Sequence, residues 1–122
     1  MRVLVVDDNP TMLEILKLIF ENSKFEVVQA NSGTTGYAEV MKAPPALVVT
    51  DTNMPNGNGL ELLAKIKKSH PNIKVIVLFT YLATDEKITM SDVYGMGADL
   101  VFSKPFWAEE LMANSLKLLD LI

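Results

Sequence analysis

Five runs with strand character recur along the chain, and they alternate with segments of helical character. Val3 to Val6 is apolar throughout, which is typical of a strand that is buried on both faces of a parallel sheet. The runs are four to six residues long and end in polar or turn-forming residues. The five predicted strands cover residues 3–6, 25–29, 47–51, 74–79 and 100–103.

The segments between and after these strands predict five helices. Pro10 suits the first position of a helix, and apolar residues follow at helical spacing at Met12, Ile15, Leu16 and Ile19. Residues 31–33 (NSG) predict a turn and a helix start, but the threonines and the glycine that follow are poor helix formers, so only residues 37–41 are firmly predicted as helix. The other three helices are predicted to cover residues 60–68, 84–94 and 108–121.

The alternation of strand and helix predicts an α/β fold with a doubly wound, five-stranded parallel sheet. Helices should cover both faces of this sheet through right-handed crossovers. Periodicity alone leaves two common strand orders open. With 122 residues and no linker-like segment, the chain is predicted to be one domain spanning residues 1–122.

The composition excludes several classes of protein. The chain has no cysteine, which excludes disulfides and thiolate metal sites. Its formal net charge of -4 argues against a general nucleic-acid binder. Since no apolar run reaches membrane-spanning length and the start shows no signal-peptide pattern, a cytoplasmic protein without membrane contact is expected.

Charged and hydroxyl-bearing residues stand where four of the predicted strands end. They are Asp7 and Asp8 after the first strand, Asp51 at the end of the third, Thr80 after the fourth and Lys104 after the fifth. Because the carboxyl ends of parallel strands share one edge of a sheet, we expect these side chains to lie close together. Each residue alone is most simply a turn, cap or surface residue, and it is their combination that indicates a site.

The chemistry of this set predicts Mg²⁺-dependent phosphoryl transfer. Crowded carboxylates repel one another and need a cation, and oxygen ligands without histidine or cysteine favour Mg²⁺ over zinc. Asp51 with either Asp7 or Asp8 would supply the carboxylates. A threonine hydroxyl and a lysine ammonium suit the oxygens of a transferred phosphoryl group. The set therefore indicates transfer to a carboxylate.

Short fragments spread over nearly the whole chain resemble the receiver domains of two-component response regulators. Each fragment is weak alone, but their order makes the combination specific. They are residues 5–10 (VVDDNP), 49–55 (VTDTNMP), 59–63 (GLELL), Thr80, 97–99 (GAD) and 104–106 (KPF). This resemblance implies the flavodoxin-like strand order 2-1-3-4-5.

The resemblance also implies a donor and a metal site. Asp51 would accept a phosphoryl group from the phosphohistidine of a histidine kinase or a phosphotransfer protein. Asp8, Asp51 and the main-chain carbonyl of Asn53 would hold Mg²⁺, while Asp7 would act through a water molecule.

Two further residues receive roles from the resemblance. Thr80 and Lys104 would bind the phosphoryl oxygens. The peptide bond between Lys104 and Pro105 would be cis, which is accessible because the bond precedes proline.

Three positions depart from the usual pattern of the family. Members commonly carry an aromatic residue three positions before the motif lysine, where this chain has Val101, and Phe102 should face the other side of the sheet. Tyr81 follows the switch threonine, where a small residue is usual. Trp107 replaces a capping residue, and a partly buried packing role is favoured for it over a contact role.

The leading functional prediction is a phosphorylation-dependent switch. The aspartyl phosphate would pull on Thr80 and Lys104 and alter the face formed by the fourth helix, the fifth strand and the last helix. Val101, Phe102 and Trp107 belong to this face, which a downstream target or output domain would read. A homodimer through the last helix is also compatible with its leucines.

The alternative is a receiver-fold interaction module that phosphorylation does not switch, motivated by the departures described above.

A small-molecule phosphatase of the haloacid dehalogenase type is disfavoured. Such enzymes carry a second aspartate two residues after the nucleophile, and here that position is Asn53, which cannot act as a general acid. The chain is also too short for a substrate-specificity cap domain, so it is not expected to be an enzyme. A complete single-domain regulator and a part of a longer protein both fit the sequence.

Overall fold

The fold is a five-stranded parallel sheet in the order β2-β1-β3-β4-β5. A computed structural model describes residues 1–52, 54, 58–79 and 88–122. The strands are β1 (Arg2–Val6), β2 (Glu26–Ala30), β3 (Leu47–Asp51), β4 (Lys74–Phe79) and β5 (Leu100–Ser103). In register, Val6 lies beside Thr50 and Asp51 lies beside Leu78. The predicted α/β class and the strand order implied by the resemblance are both confirmed.

The described residues form five helices between and after the strands. They are α1 (Pro10–Asn22), α2 (Gly33–Lys42), α3 (Gly59–Ser69), α4 (Met90–Gly95) and α5 (Ala108–Leu118). The predicted start of α1 at Pro10 is confirmed. Within the described ranges, none of the helices combines the length and apolar character that crossing a bilayer requires.

The helix boundaries that differ from prediction are explained by caps. α2 begins at Gly33, as the turn at residues 31–33 predicted, and its first residues are helical because Ser32 Oγ accepts a hydrogen bond from Thr35 N at 3.1 Å, while Ser32 N donates to Thr35 Oγ1 at 3.2 Å. This reciprocal pair satisfies amide groups at the first turn, and it outweighs the weak helix propensity of the residues that follow.

The prediction that α4 includes Ile88 and Thr89 is wrong, and residues 84–87 lie outside the described part of the chain. Thr89 caps α4 instead: its hydroxyl accepts from Asp92 N at 3.2 Å, and its amide donates to Asp92 Oδ2 at 2.8 Å. The predicted end of α5 at Leu121 is also wrong. Asp120 adopts φ 58°, and Leu121 N bonds back to Leu116 O at 2.8 Å, which ends the helix.

Apolar side chains fill both faces of the sheet. One cluster joins the sheet to α2, α3 and α4 and includes Val40, Leu63 and Val93. A second joins the sheet to α1 and α5 through Leu16, Phe20 and Leu111. The predicted apolar face of α1 is correct except at Ile15, which is 42% exposed, whereas Leu16 and Phe20 are fully buried.

A charged cluster fixes the end of α3 that lies away from the strand tips. Lys67 Nζ donates to Asp99 Oδ2 and to the carbonyl of Ile73, both at 2.8 Å, and Val75 N donates to the same Asp99 oxygen at 2.8 Å. The two charged side chains are only 19% and 21% exposed. One ammonium therefore ties α3 to the beginnings of β4 and β5.

Replacing Lys67 with methionine should destabilise the protein. Methionine keeps much of the aliphatic stem but leaves the half-buried Asp99 carboxylate without its cation, so we expect the free energy of unfolding to fall by about 1–3 kcal/mol. Urea unfolding measures the change, and Lys68→Met, at the exposed next residue of α3, is the matched control. Equal effects of the two substitutions would show that the Lys67 contacts contribute nothing specific.

Candidate functional site at the carboxyl edge of the sheet

The carboxyl ends of β1 and β3 bring three aspartates together. Asp7, Asp8 and Asp51 each offer a carboxylate oxygen within 4.8 Å of the others. Asp7 and Asp51 are buried, at 1% and 6% exposure, whereas Asp8 is exposed. The predicted convergence of these residues is therefore confirmed, and Asp8 forms the solvent-facing side of the cluster.

Asp7 is held by the turn into α1. Its Oδ1 accepts a hydrogen bond from Asn9 N at 3.0 Å. The Asn9 side chain in turn caps α1 by accepting from Thr11 N at 2.9 Å and from Met12 N at 3.2 Å. The sequence Asp-Asp-Asn-Pro thus ends a strand, orients a buried carboxylate and starts a helix within four residues.

The Asp51 carboxylate is oriented by its own turn. Thr52 N donates to Asp51 Oδ1 at 2.8 Å, and the Asp51 carbonyl accepts from the Thr50 hydroxyl at 3.0 Å. These bonds use Oδ1 and the main chain, and the other carboxylate oxygen, Oδ2, faces the Lys104 ammonium.

Gly59, the first residue of α3, packs directly on this turn. A Cβ added to it would lie 1.8 Å from the Asp51 carbonyl oxygen, which is far too close for two non-bonded atoms. Gly59 N also donates to Thr52 O at 3.1 Å. The close approach of α3 to the main chain of Asp51 therefore requires glycine.

Lys104 links the two buried carboxylates. Its Nζ lies 3.1 Å from Asp7 Oδ2 and 3.4 Å from Asp51 Oδ2. The Lys104 amide donates to Phe79 O at 3.1 Å, which fixes the residue at the end of β5 beside β4. The peptide bond between Lys104 and Pro105 is cis, as the resemblance implied.

The described part of the site carries excess negative charge. Three carboxylates surround one ammonium, which leaves a formal charge of about -2. All three acidic residues offer carboxylate oxygens as ligand atoms, and two of these residues are buried. This donor set and this charge fit Mg²⁺.

Some of the predicted site residues lie outside the described part of the chain. They are Asn53 and Thr80, together with the neighbouring Tyr81.

Val101 and Phe102, the two residues of β5 that were assigned to the output face, point to opposite sides of the sheet. Val101 is 6% exposed and belongs to the cluster with α2, α3 and α4. Phe102 packs against the cluster with α1 and α5, so it does not replace the aromatic residue that is usual at the Val101 position. The prediction that these side chains point to opposite faces is confirmed.

The packing role favoured for Trp107 is wrong. Its side chain is 73% exposed, and within the described residues it makes no capping hydrogen bond to α5. The preceding residue, Phe106, packs against the second apolar cluster.

Two structural features were not found by sequence reasoning. The first is the close approach of α3 to the main chain of Asp51, which requires glycine at position 59. The local sequence indicates it only by a glycine directly after the capping residue Asn58. The second is a hydrogen bond from Val101 N to the hydroxyl of Tyr94 in α4, at 3.0 Å.

Comparison with known proteins identifies similar chains. The family profile described as "Response regulator receiver domain" matches residues 3–115. "Sporulation initiation phosphotransferase F" of Bacillus subtilis is 30% identical over 110 residues, which cover 90% of this chain and 86% of that protein. The receiver domain protein of Clostridium thermocellum has a TM-score of 0.87 at 29% identity, covering 98% of this chain and 94% of the other.

Several relatives are longer proteins. "Transcriptional regulatory protein TrcR" of Mycobacterium tuberculosis is 32% identical over 115 residues, which cover 93% of this chain but 43% of that protein. This chain therefore spans about half the length of many of the curated relatives that it matches.

Proposed function

Because this chain belongs to the response regulator receiver domain family, the phosphoacceptor domains of two-component systems, we propose that Asp51 is its phosphoryl acceptor. The observation that carries the proposal is the position of the Asp51 carboxylate. It is buried at the end of β3, oriented by Thr52 N, and lies 3.4 Å from the Lys104 ammonium.

The proposed reaction moves a phosphoryl group from nitrogen to oxygen. A carboxylate oxygen of Asp51 forms a bond to phosphorus while the P–N bond of a donor phosphohistidine breaks. The electron pair of that bond returns to the imidazole, which is then protonated by solvent. Lys104 keeps its proton and pairs with a phosphoryl oxygen, and Thr80 donates a hydrogen bond to another.

The excess negative charge supports a Mg²⁺ site at the same place. Asp8, Asp51 and the carbonyl of Asn53 would hold the ion, and Asp7 would act through water. When bound, Mg²⁺ supplies positive charge to the phosphoryl oxygens. Asp7 also holds Lys104 in place, since its Oδ2 accepts from Nζ at 3.1 Å.

The donor is proposed to be a histidine kinase or a phosphotransfer protein. An apolar groove beside the acceptor supports docking of such a protein. The groove is lined by Met12, Ile15, Lys104, Pro105, Phe106 and Ala108. Because Lys104 lies both in this groove and 3.4 Å from the Asp51 carboxylate, a protein bound there would lie close to the acceptor.

The proposed output is read from the face formed by α4, β5 and α5, by a downstream target or an output domain. The greater length of many relatives supports an output domain in the same protein. No direct nucleic-acid binding by this domain is proposed, in keeping with its net charge of -4. A homodimer, in which two copies of this chain pair through α5, is a second proposed use of this face.

Acetyl phosphate tests the proposal without a cognate kinase. Incubation with acetyl phosphate and Mg²⁺ should add the mass of one phosphoryl group to the intact protein, and the added mass should map to the peptide that contains Asp51. Omitting Mg²⁺ or adding EDTA should prevent the gain, because the crowded carboxylates then repel the anionic donor. No gain in a folded, Mg²⁺-binding protein would favour the interaction module that phosphorylation does not switch.

A further inference from the structure

A tyrosine in α4 bonds to the main chain of the edge strand β5. The Tyr94 hydroxyl accepts a hydrogen bond from Val101 N at 3.0 Å. Since β5 is the last strand of the sheet, alternate amide groups on it have no partner strand among the described residues. Tyr94 satisfies one of these groups and ties the last turn of α4 to the strand.

The strand position that Tyr94 binds lies between α4 and the acceptor site. The Val101 side chain is buried in the same cluster as Phe79, the last residue of β4, and Val93 of α4. Three residues further along the chain, Lys104 contacts the carboxylates of Asp7 and Asp51. β5 therefore contacts α4 through Val101 and the acceptor site through Lys104.

We propose that Tyr94 is a positioning residue that couples the state of Asp51 to the placement of α4. The inference rests on the proposed function, because it requires Asp51 to be the acceptor. The Tyr94–Val101 hydrogen bond belongs to the conformation in which the unmodified Asp51 carboxylate pairs with Lys104. It stabilises this conformation relative to one in which α4 has moved off β5. The proposed coupling residue is thus an aromatic side chain on α4. The position of β5 where an aromatic residue is usual in this family holds Val101 instead.

The test is the binding of beryllofluoride, a phosphoryl mimic, in the presence of Mg²⁺. Tyr94→Phe removes the hydroxyl and keeps the ring. Loss of one hydrogen bond should raise the population of the binding-competent conformation, so the apparent dissociation constant for beryllofluoride should fall by about 2- to 10-fold. The Val101 amide should also lose protection against hydrogen exchange.

Tyr37→Phe is the matched control. The Tyr37 hydroxyl also makes one side-chain hydrogen bond, to Ser69 Oγ at 2.9 Å, but it joins α2 to α3. This variant should bind beryllofluoride as the unchanged protein does.

Two results would overturn the inference, and they can be told apart. If the unchanged protein binds beryllofluoride through Asp51 and Tyr94→Phe binds it equally well, Tyr94 only closes the turn between α4 and β5. If the unchanged protein shows no Asp51-dependent binding, the proposed function fails and the coupling fails with it.

Discussion

Replacing Asp51 with asparagine should abolish the Mg²⁺-dependent phosphoryl gain from acetyl phosphate. Loss of the nucleophile from a site whose other groups remain should lower the rate of modification by at least about 100-fold. The fold should survive, because an asparagine carbonyl oxygen can still accept the 2.8 Å hydrogen bond from Thr52 N. Intact mass measured over a time course gives the rate, and circular dichroism confirms the fold.

The matched control for this substitution is Asp120→Asn. Asp120 is exposed after α5 and adopts φ 58°, a conformation that asparagine tolerates well. It should leave the phosphorylation rate unchanged. Persistent Mg²⁺-dependent labelling in Asp51→Asn would contradict the assignment and direct attention to Asp8, the exposed carboxylate of the same cluster.

Gly59→Ala should impair both stability and phosphorylation. The new methyl group would lie 1.8 Å from the Asp51 carbonyl oxygen and 3.0 Å from Thr50 Oγ1, so α3 or the end of β3 must move. Because both contacts are with rigid, buried atoms, we expect the free energy of unfolding to fall by about 3 kcal/mol or more. Displacement of Asp51 from Lys104 should also slow modification by acetyl phosphate. Denaturant unfolding and intact mass measure the two effects.

Gly95→Ala controls for the chemistry of this substitution. Gly95 is the last residue of α4, and no described atom lies within 4 Å of a Cβ built on it. Alanine should be neutral or slightly stabilising there, because it reduces the entropy of the unfolded chain. Full stability and a normal phosphorylation rate in Gly59→Ala would show that α3 can retreat from Asp51 without cost, and would refute the need for glycine.

The sequence alone predicted the layout of the fold because its signals are local. An apolar run such as Val3–Val6 indicates a buried strand, and Pro10 after Asn9 indicates the start of a helix. Predictions of helix boundaries were wrong where the local apolar pattern continued past the point at which the backbone turns or a side chain caps the helix. The apolar residues near the end of α5 continue to Leu121, but the backbone turns at Asp120, with φ 58°, and ends the helix earlier.

The site was predictable to the extent that it follows from strand ends. Parallel strands finish on one edge of the sheet, so residues at the tips of neighbouring strands lie near one another. Asp7, Asp8, Asp51 and Lys104 were all predictable in this way. That Asp7 is buried and Asp8 is exposed was not predictable, because the two residues are adjacent and chemically identical.

The sequence by itself thus determined the alternating α/β order and the acidic and basic residues at the strand tips, since both depend on short-range patterns. Only the tertiary structure decided that Lys104 joins two buried carboxylates, that α3 approaches Asp51 closely enough to need Gly59, and that Tyr94 bonds to the edge of β5. These contacts depend on strand register and on the distance between packed elements. The distance between packed elements in particular cannot be read from the spacing of residues along the chain, because it depends on how the side chains of both elements fit together.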